Sequence, residues 1–132
     1  MDITWLGPFP FTKEEVKRVP RSAGIYKILQ SKEYHRYFGV TKILEIGKSD
    51  SDLQSELENH FTRHTTANRL ARIRNRNDID VEFEYYLTEN ATEFEINLLK
   101  DFEDQYWDLP VLNSHRGYKR SEDKHYRSKT RR

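Results

Sequence analysis

Residues 79–86 read IDVEFEYY, and their alternation is the tightest constraint on the fold. Ile79, Val81, Phe83 and Tyr85 fall on one side of an extended chain, with Asp80, Glu82, Glu84 and Tyr86 on the other. The pattern predicts a half-buried strand with one wet face. A lone strand leaves its backbone groups unpaired, so it must find partner strands in the same chain. Two segments qualify: GIYKIL at 24–29, partly β-branched and aromatic, and KILEI at 42–46. The polar and aromatic residues 31–40, punctuated by Gly39, read as a long hairpin loop between them.

Helices must cover this sheet. Thr12 with Glu15 fits a capping box, so a short helix follows and stops before Pro20. Ser51 with Gln54 fits a second, and Leu53, Leu57 and Phe61 behind it form one apolar stripe. A helix over 67–75 would use Leu70 and Ile73, and one over 91–107 would bury Phe94, Leu98, Phe102 and Tyr106, ending before Pro110. Trp5 and Phe9 to Phe11 are expected to pack the N-terminal segment onto the sheet. Three strands cannot bury both faces of a sheet, so the expected class is α+β: a small three-stranded antiparallel sheet flanked by helices.

A chain of 132 residues suits one domain. The expected division is an N-terminal segment with a short helix (1–20), the domain proper (21–113), and a basic, partly mobile tail (114–132). Without cysteine, thiolate zinc sites and cysteine nucleophiles are excluded. No basic run followed by an apolar one opens the chain, and no apolar stretch nears membrane-spanning length. A cytoplasmic location with no membrane partner is therefore expected. The net charge of +1 hides an uneven distribution. Residues 61–77 hold five arginines (Arg63, Arg69, Arg72, Arg74 and Arg76) and no acid, whereas 78–108 hold eleven acids and one lysine. Residues 115–132 return to eight Lys/Arg against two acids. Such blocks read as solvated helix faces, or as a basic surface for nucleic acid.

VPRSAGIYKI followed by ILEIGKSDSDLQSELENHF resembles the opening of a GIY-YIG nuclease domain. ATEFEINLLKDF resembles that family's helix with a catalytic glutamate, and LPVLN its closing loop with an asparagine. The resemblance runs over roughly residues 19–113. It implies a nuclease-like fold and a nucleic-acid partner, DNA more than RNA. It places Tyr26 where a phenol positions or deprotonates the attacking water, and His60 where the first helix often carries a histidine. Glu95 stands where the family holds one divalent cation, magnesium or manganese, and Asn113 at the late asparagine.

Two positions depart from that pattern. Glu45 replaces the tyrosine of YIG, and Glu56 replaces the arginine that contacts the scissile phosphate. The second change reverses a charge, because a guanidinium fork neutralises a phosphate and a carboxylate repels it. Lys48 from the turn and Arg63 further along the helix are partial substitutes. The resemblance therefore implies that Tyr26, Glu45, Glu56, His60 and Glu95 converge on one catalytic pocket. Three carboxylates and an imidazole there could hold a divalent metal. The plainer alternatives are a core tyrosine at 26, an ordinary i,i+4 pair at Glu56–His60, and a capping role for Glu95 with Thr92. The aromatic residues of 34–38 could stack bases or form a loop minicore. Three functions follow: a nucleic-acid-binding protein with lost or reduced endonuclease activity, an active metal-dependent phosphodiesterase with a rearranged carboxylate site, or a protein-interaction module. Lys48 and the five arginines are the candidate nucleic-acid contacts.

Overall fold

The computed structural model describes residues 2–62 and 67–113. Its elements are β1 (Leu6–Pro10), α1 (Lys13–Val16), β2 (Gly24–His35), β3 (Val40–Ser49), α2 (Leu53–Thr62), α3 (Ala67–Arg74), β4 (Val81–Leu87) and α4 (Ala91–Tyr106). The fold is α+β, and the strands form one antiparallel sheet in the order β1-β4-β2-β3.

The three expected strands pair as β4-β2-β3, and β1 adds a fourth. Two prolines in LGPFP obscure that strand in the sequence. Proline has no N–H to give a ladder, so it is confined to edges, and β1 is an edge strand. Its register to β4 breaks between Leu6 and Phe9, across Gly7 and Pro8. The expected loop over 31–40 is largely strand as well. β2 runs to His35 and β3 starts at Val40, leaving a tip closed by the Arg36 N–H on the Gly39 carbonyl at 3.0 Å.

One sheet face carries Tyr26, Ile28, Phe83 and Tyr85, packed against Phe11 and Val16 and against Leu53 and Leu57 of α2 and Leu70 of α3. The other carries Ile46 and Ile43 beneath Leu99, Phe102 and Leu109. On α4 the buried stripe is Ala91, Leu99, Phe102 and Glu103, while Phe94 lies half-buried and stacked on Tyr86. The expected wet face of β4 is accordingly half-covered: Glu84 pairs with Lys27 at 2.9 Å, and Trp5 lies against that ammonium at 4.3 Å. Ile79 lies before the strand and is half-buried.

The caps divide. Thr12 Oγ1 accepts from the Glu15 N–H at 3.2 Å, as its spacing predicts. The cap of α2 is Asp52 rather than Ser51: its Oδ1 accepts from the Ser55 N–H at 3.0 Å. Thr92 lies inside the first turn of α4 and donates to Asp50 at 3.0 Å, so no capping box joins it to Glu95.

Candidate functional site

The GIY and EIG segments are brought together by strand pairing, which sets Tyr26 opposite Gly47. The Tyr26 ring lies across Gly47, and a β-carbon there would fall on its Cζ and hydroxyl. Gly24 has a related constraint, since its β-carbon would come 2.7 Å from the Tyr86 carbonyl oxygen and 3.0 Å from Leu53. Both glycines are needed for close approach of neighbouring groups.

Glu45 reaches the same face through a register irregularity. Ile28 pairs with Glu45 while Leu29 pairs with Ile43, so Leu44 is the extra residue of a bulge. Leu44 packs into the core beside Tyr26, and Ile43 and Ile46 pack under α4. Glu45 is thereby turned to the side that faces α2. This accounts for a carboxylate inside an apolar run.

His60, from α2, is fully enclosed and links these residues. Its Nε2 lies 2.9 Å from Glu45 Oε1 and 3.3 Å from the Tyr26 hydroxyl, and its Nδ1 lies 3.0 Å from the Glu56 carbonyl. A carbonyl oxygen only accepts, so Nδ1 carries a hydrogen. A second hydrogen, on Nε2, would complete an ion pair with Glu45. The Tyr26 hydroxyl also donates to Glu56 Oε2 at 3.4 Å. Burial raises the Tyr26 phenol well above its ordinary value, and the negative charges of Glu45, Glu56 and Glu95 push it the same way. At neutral pH this phenol is a hydrogen-bond donor and not a base.

Glu95 approaches from α4. Burial pushes its carboxyl to about 7, against the pull of Lys48, with Asp50, Glu56 and Glu45 adding to the rise. Five residues from four elements thus gather in one region. Lys48 lies at its margin, where its ammonium is 2.6 Å from Asp50. Sequence reasoning misses Asp50. Its only sequence signal is its position two residues after Lys48 at a strand end.

Glu95 suits a lone cation, because a half-buried carboxyl surrounded by negative charge is relieved by positive charge. Glu45 and Glu56 are turned to His60 and Tyr26 instead. Among the described residues, no group of three or more His, Asp or Glu is arranged to hold a metal.

Asn113 lies at the outer edge of β3. Its side-chain oxygen accepts from the Ile46 N–H and its amide donates to the Ile46 carbonyl, each at 2.9 Å. The amide therefore closes an otherwise open stretch of strand edge, aided by the Leu112 N–H on the Leu44 carbonyl at 2.9 Å.

The candidate phosphate contacts are dispersed. Arg69 donates to the Val111 carbonyl at 2.9 Å. Arg74 lies over the Phe61 ring at 4.9 Å, and Arg76 pairs with Asp78 at 3.3 Å. Arg72 is exposed on α3. Arg63 and the basic tail lie outside the described residues. No described helix is long and apolar enough to cross a membrane. Compared with known proteins, the chain matches no family model, no curated protein and no solved structure.

Proposed function

We propose that this chain is a nucleic-acid-binding protein with a GIY-YIG-like fold and lost or reduced endonuclease activity. One observation carries the reading: Tyr26, 1 % exposed, is enclosed with His60 among carboxylates where a nuclease of this kind needs an accessible phenol and a cation for phosphate. The positions that the sequence resemblance selects do gather, which supports a shared ancestry of the site. Their charge opposes phosphate binding at its centre. Loss of one preorganised donor of that kind costs on the order of 10²–10³ in rate, and Glu56 adds repulsion to the loss. Exposed arginines such as Arg72 on α3 remain for phosphate contact. A magnesium or manganese ion on Glu95 would supply neutralisation of phosphate charge.

The test is incubation with DNA and RNA of several shapes, in Mg²⁺, in Mn²⁺ and with a chelator. The wild type should bind and cleave near background. Glu56→Arg, alone or with Glu45→Tyr, should raise metal-dependent cleavage, and adding Glu95→Ala should abolish the gain. Vigorous chelator-sensitive cleavage by the wild type, lost on Glu56→Ala, would overturn the reading.

That outcome would favour a second one, an active phosphodiesterase with a rearranged carboxylate site. Its support is Glu95 itself, whose carboxyl, at about 7, is suited to exchanging protons near neutrality.

A further inference from the structure

Phe61, in the last turn of α2, gathers cations from two other elements. The Arg74 guanidinium of α3 lies over its ring at 4.9 Å from the centroid, and the Lys13 ammonium of α1 at 5.9 Å. Phe11, a core residue, is stacked on the same ring at 4.7 Å with 10° between planes. The ring is thus held from the core side and fixes where the two positive groups stand.

Neither cation is neutralised. Among the described residues, no carboxylate or carbonyl accepts from the charged group of Lys13 or of Arg74. Their neighbours in the arginine block differ, since Arg76 pairs with Asp78 and Arg69 donates to the Val111 carbonyl. Lys13 and Arg74 are both exposed. A guanidinium stacked on a ring keeps its in-plane N–H groups open to the oxygens of an anion. Two like charges held near one ring repel each other, and an anion between them is attracted by both.

The nearby acids do not reverse this. Asp80 and Glu82 line a cleft of about 420 Å³ together with Arg74, yet neither pairs with it. Along β4, Glu82 alternates with Val81 and Phe83, the residues that pack with Leu70 of α3, so its side chain is turned to the opposite face. On α1 and its cap, Glu14 and Glu15 are matched by Lys13 and Lys17, and α3 holds no acid. Positive charge therefore prevails around Phe61. With Phe11 and Arg74 on its faces, the ring has no open side for a base, so the contact it organises is with the backbone.

We infer that Lys13 and Arg74, placed by Phe61, clamp a backbone phosphate of a bound nucleic acid. Lys13 lies outside the arginine block of residues 61–77, so the interface extends from α3 to α1. The inference rests on the nucleic-acid-binding reading, though not on any cleavage activity.

Fluorescence anisotropy with a labelled DNA duplex, repeated across salt concentrations, tests it. Lys13→Gln and Arg74→Gln should each weaken binding by about three- to tenfold. The double variant should lower the slope of log affinity against log salt by about one, the share of a single phosphate contact. Lys13→Glu should weaken binding more than Lys13→Gln, because its carboxylate would meet the Arg74 guanidinium at the Phe61 ring. Lys42→Gln, an equal loss of exposed charge on β3, should change nothing. Duplex binding whose affinity and slope ignore Lys13→Gln and the double variant would overturn the clamp and leave the nucleic-acid reading standing. A wild type that binds neither DNA nor RNA at low salt would overturn both. Octa-glutamate bound in preference to the duplex, and lost on Lys13→Gln, would also overturn the clamp and mark the surface as one for acidic peptides.

Discussion

At Gly47 a single missing methyl group sets the position of the central phenol. The Tyr26 ring occupies the space that a side chain would need. Gly47→Ala should destabilise the fold by about 1–3 kcal/mol, the usual range for overpacking. Tyr26→Ala also destabilises, by leaving a cavity, but Gly47→Ala made in that background should cost less than it does alone. Equilibrium denaturation of the four proteins of that cycle measures the difference, and additive costs would exclude the contact. Glu95 makes a pH prediction. Its carboxyl titrates near 7 in the folded protein, against an ordinary value of 4.5. Between those values the native state holds more protons than the unfolded one, so stability falls as pH rises. The contribution is fully present below about 4.5, is lost through about 7, and is flat beyond. Glu95→Gln should flatten that decline in a series of denaturation curves from pH 4.5 to 8, and an unaltered slope would exclude Glu95 as its source. The gathering of Tyr26, Glu45, Glu56, His60 and Glu95 is what the family resemblance implies. The state of the phenol was not legible in the sequence, because enclosure by side chains from α2 and β3 is a tertiary property.

At the scale of elements, the sequence pattern worked where one period ran without interruption. β4 alternates cleanly from Val81 to Tyr85, and its buried residues match that alternation. The pattern failed where a local device broke it. Leu44 interrupts the period of β3 with a bulge, and Pro8 and Pro10 conceal β1. The beginning of α2 shows how a motif misleads. Ser51 and Gln54 have capping-box spacing, yet Gln54 donates to the carbonyls of Lys17 and Val19, at 3.0 and 2.9 Å. Asp52 is the cap, and it also pairs with Arg21 at 2.7 Å. Asp52→Ala should therefore cost about 1 kcal/mol, a typical loss for a helix N-cap. Ser51→Ala should stay within about 0.5 kcal/mol, as surface substitutions do. Thermal or denaturant unfolding of the pair distinguishes them, and the reverse order would restore Ser51 as the cap. Asn113 presents the same lesson at the other end of the chain. The residue was legible from the resemblance, but its pairing with the Ile46 backbone becomes visible only with the sheet edge in place.

At the scale of the whole molecule, the described part of the basic block 61–77 does not form one continuous basic face. Among the described residues, Arg76 is neutralised by Asp78 and Arg69 is held by a carbonyl. Arg72 and Arg74 of α3 are exposed. If α3 contacts a phosphate backbone, replacing both by alanine should weaken oligonucleotide binding for every sequence tested. It should also lower the slope of log affinity against log salt by about one for each phosphate contact removed. A titration series across salt concentrations reads that slope, and an unchanged one would remove α3 from the interface.

The place of β1 has a consequence for the history of the chain. Leu6 meets Tyr85, and Pro10 meets Glu82, so the first strand closes against the last. When a ribosome delivers this protein, β2 and β3 emerge early and can zip together as a local hairpin. The residues of β1 emerge before either, yet their only strand partner is among the last parts of the sheet to appear. Contacts between such distant segments form slowly, because a long loop must close before they give any return. Until β4 is made, Phe9 lacks the Phe83 and Tyr85 rings it packs against, and β4 without β1 has an uncovered edge. The prolines that hide β1 from sequence reading also make it a poor template for pairing with another nascent chain. The strand whose pairing closes the longest loop in the sheet is thus poorly suited to join the wrong molecule.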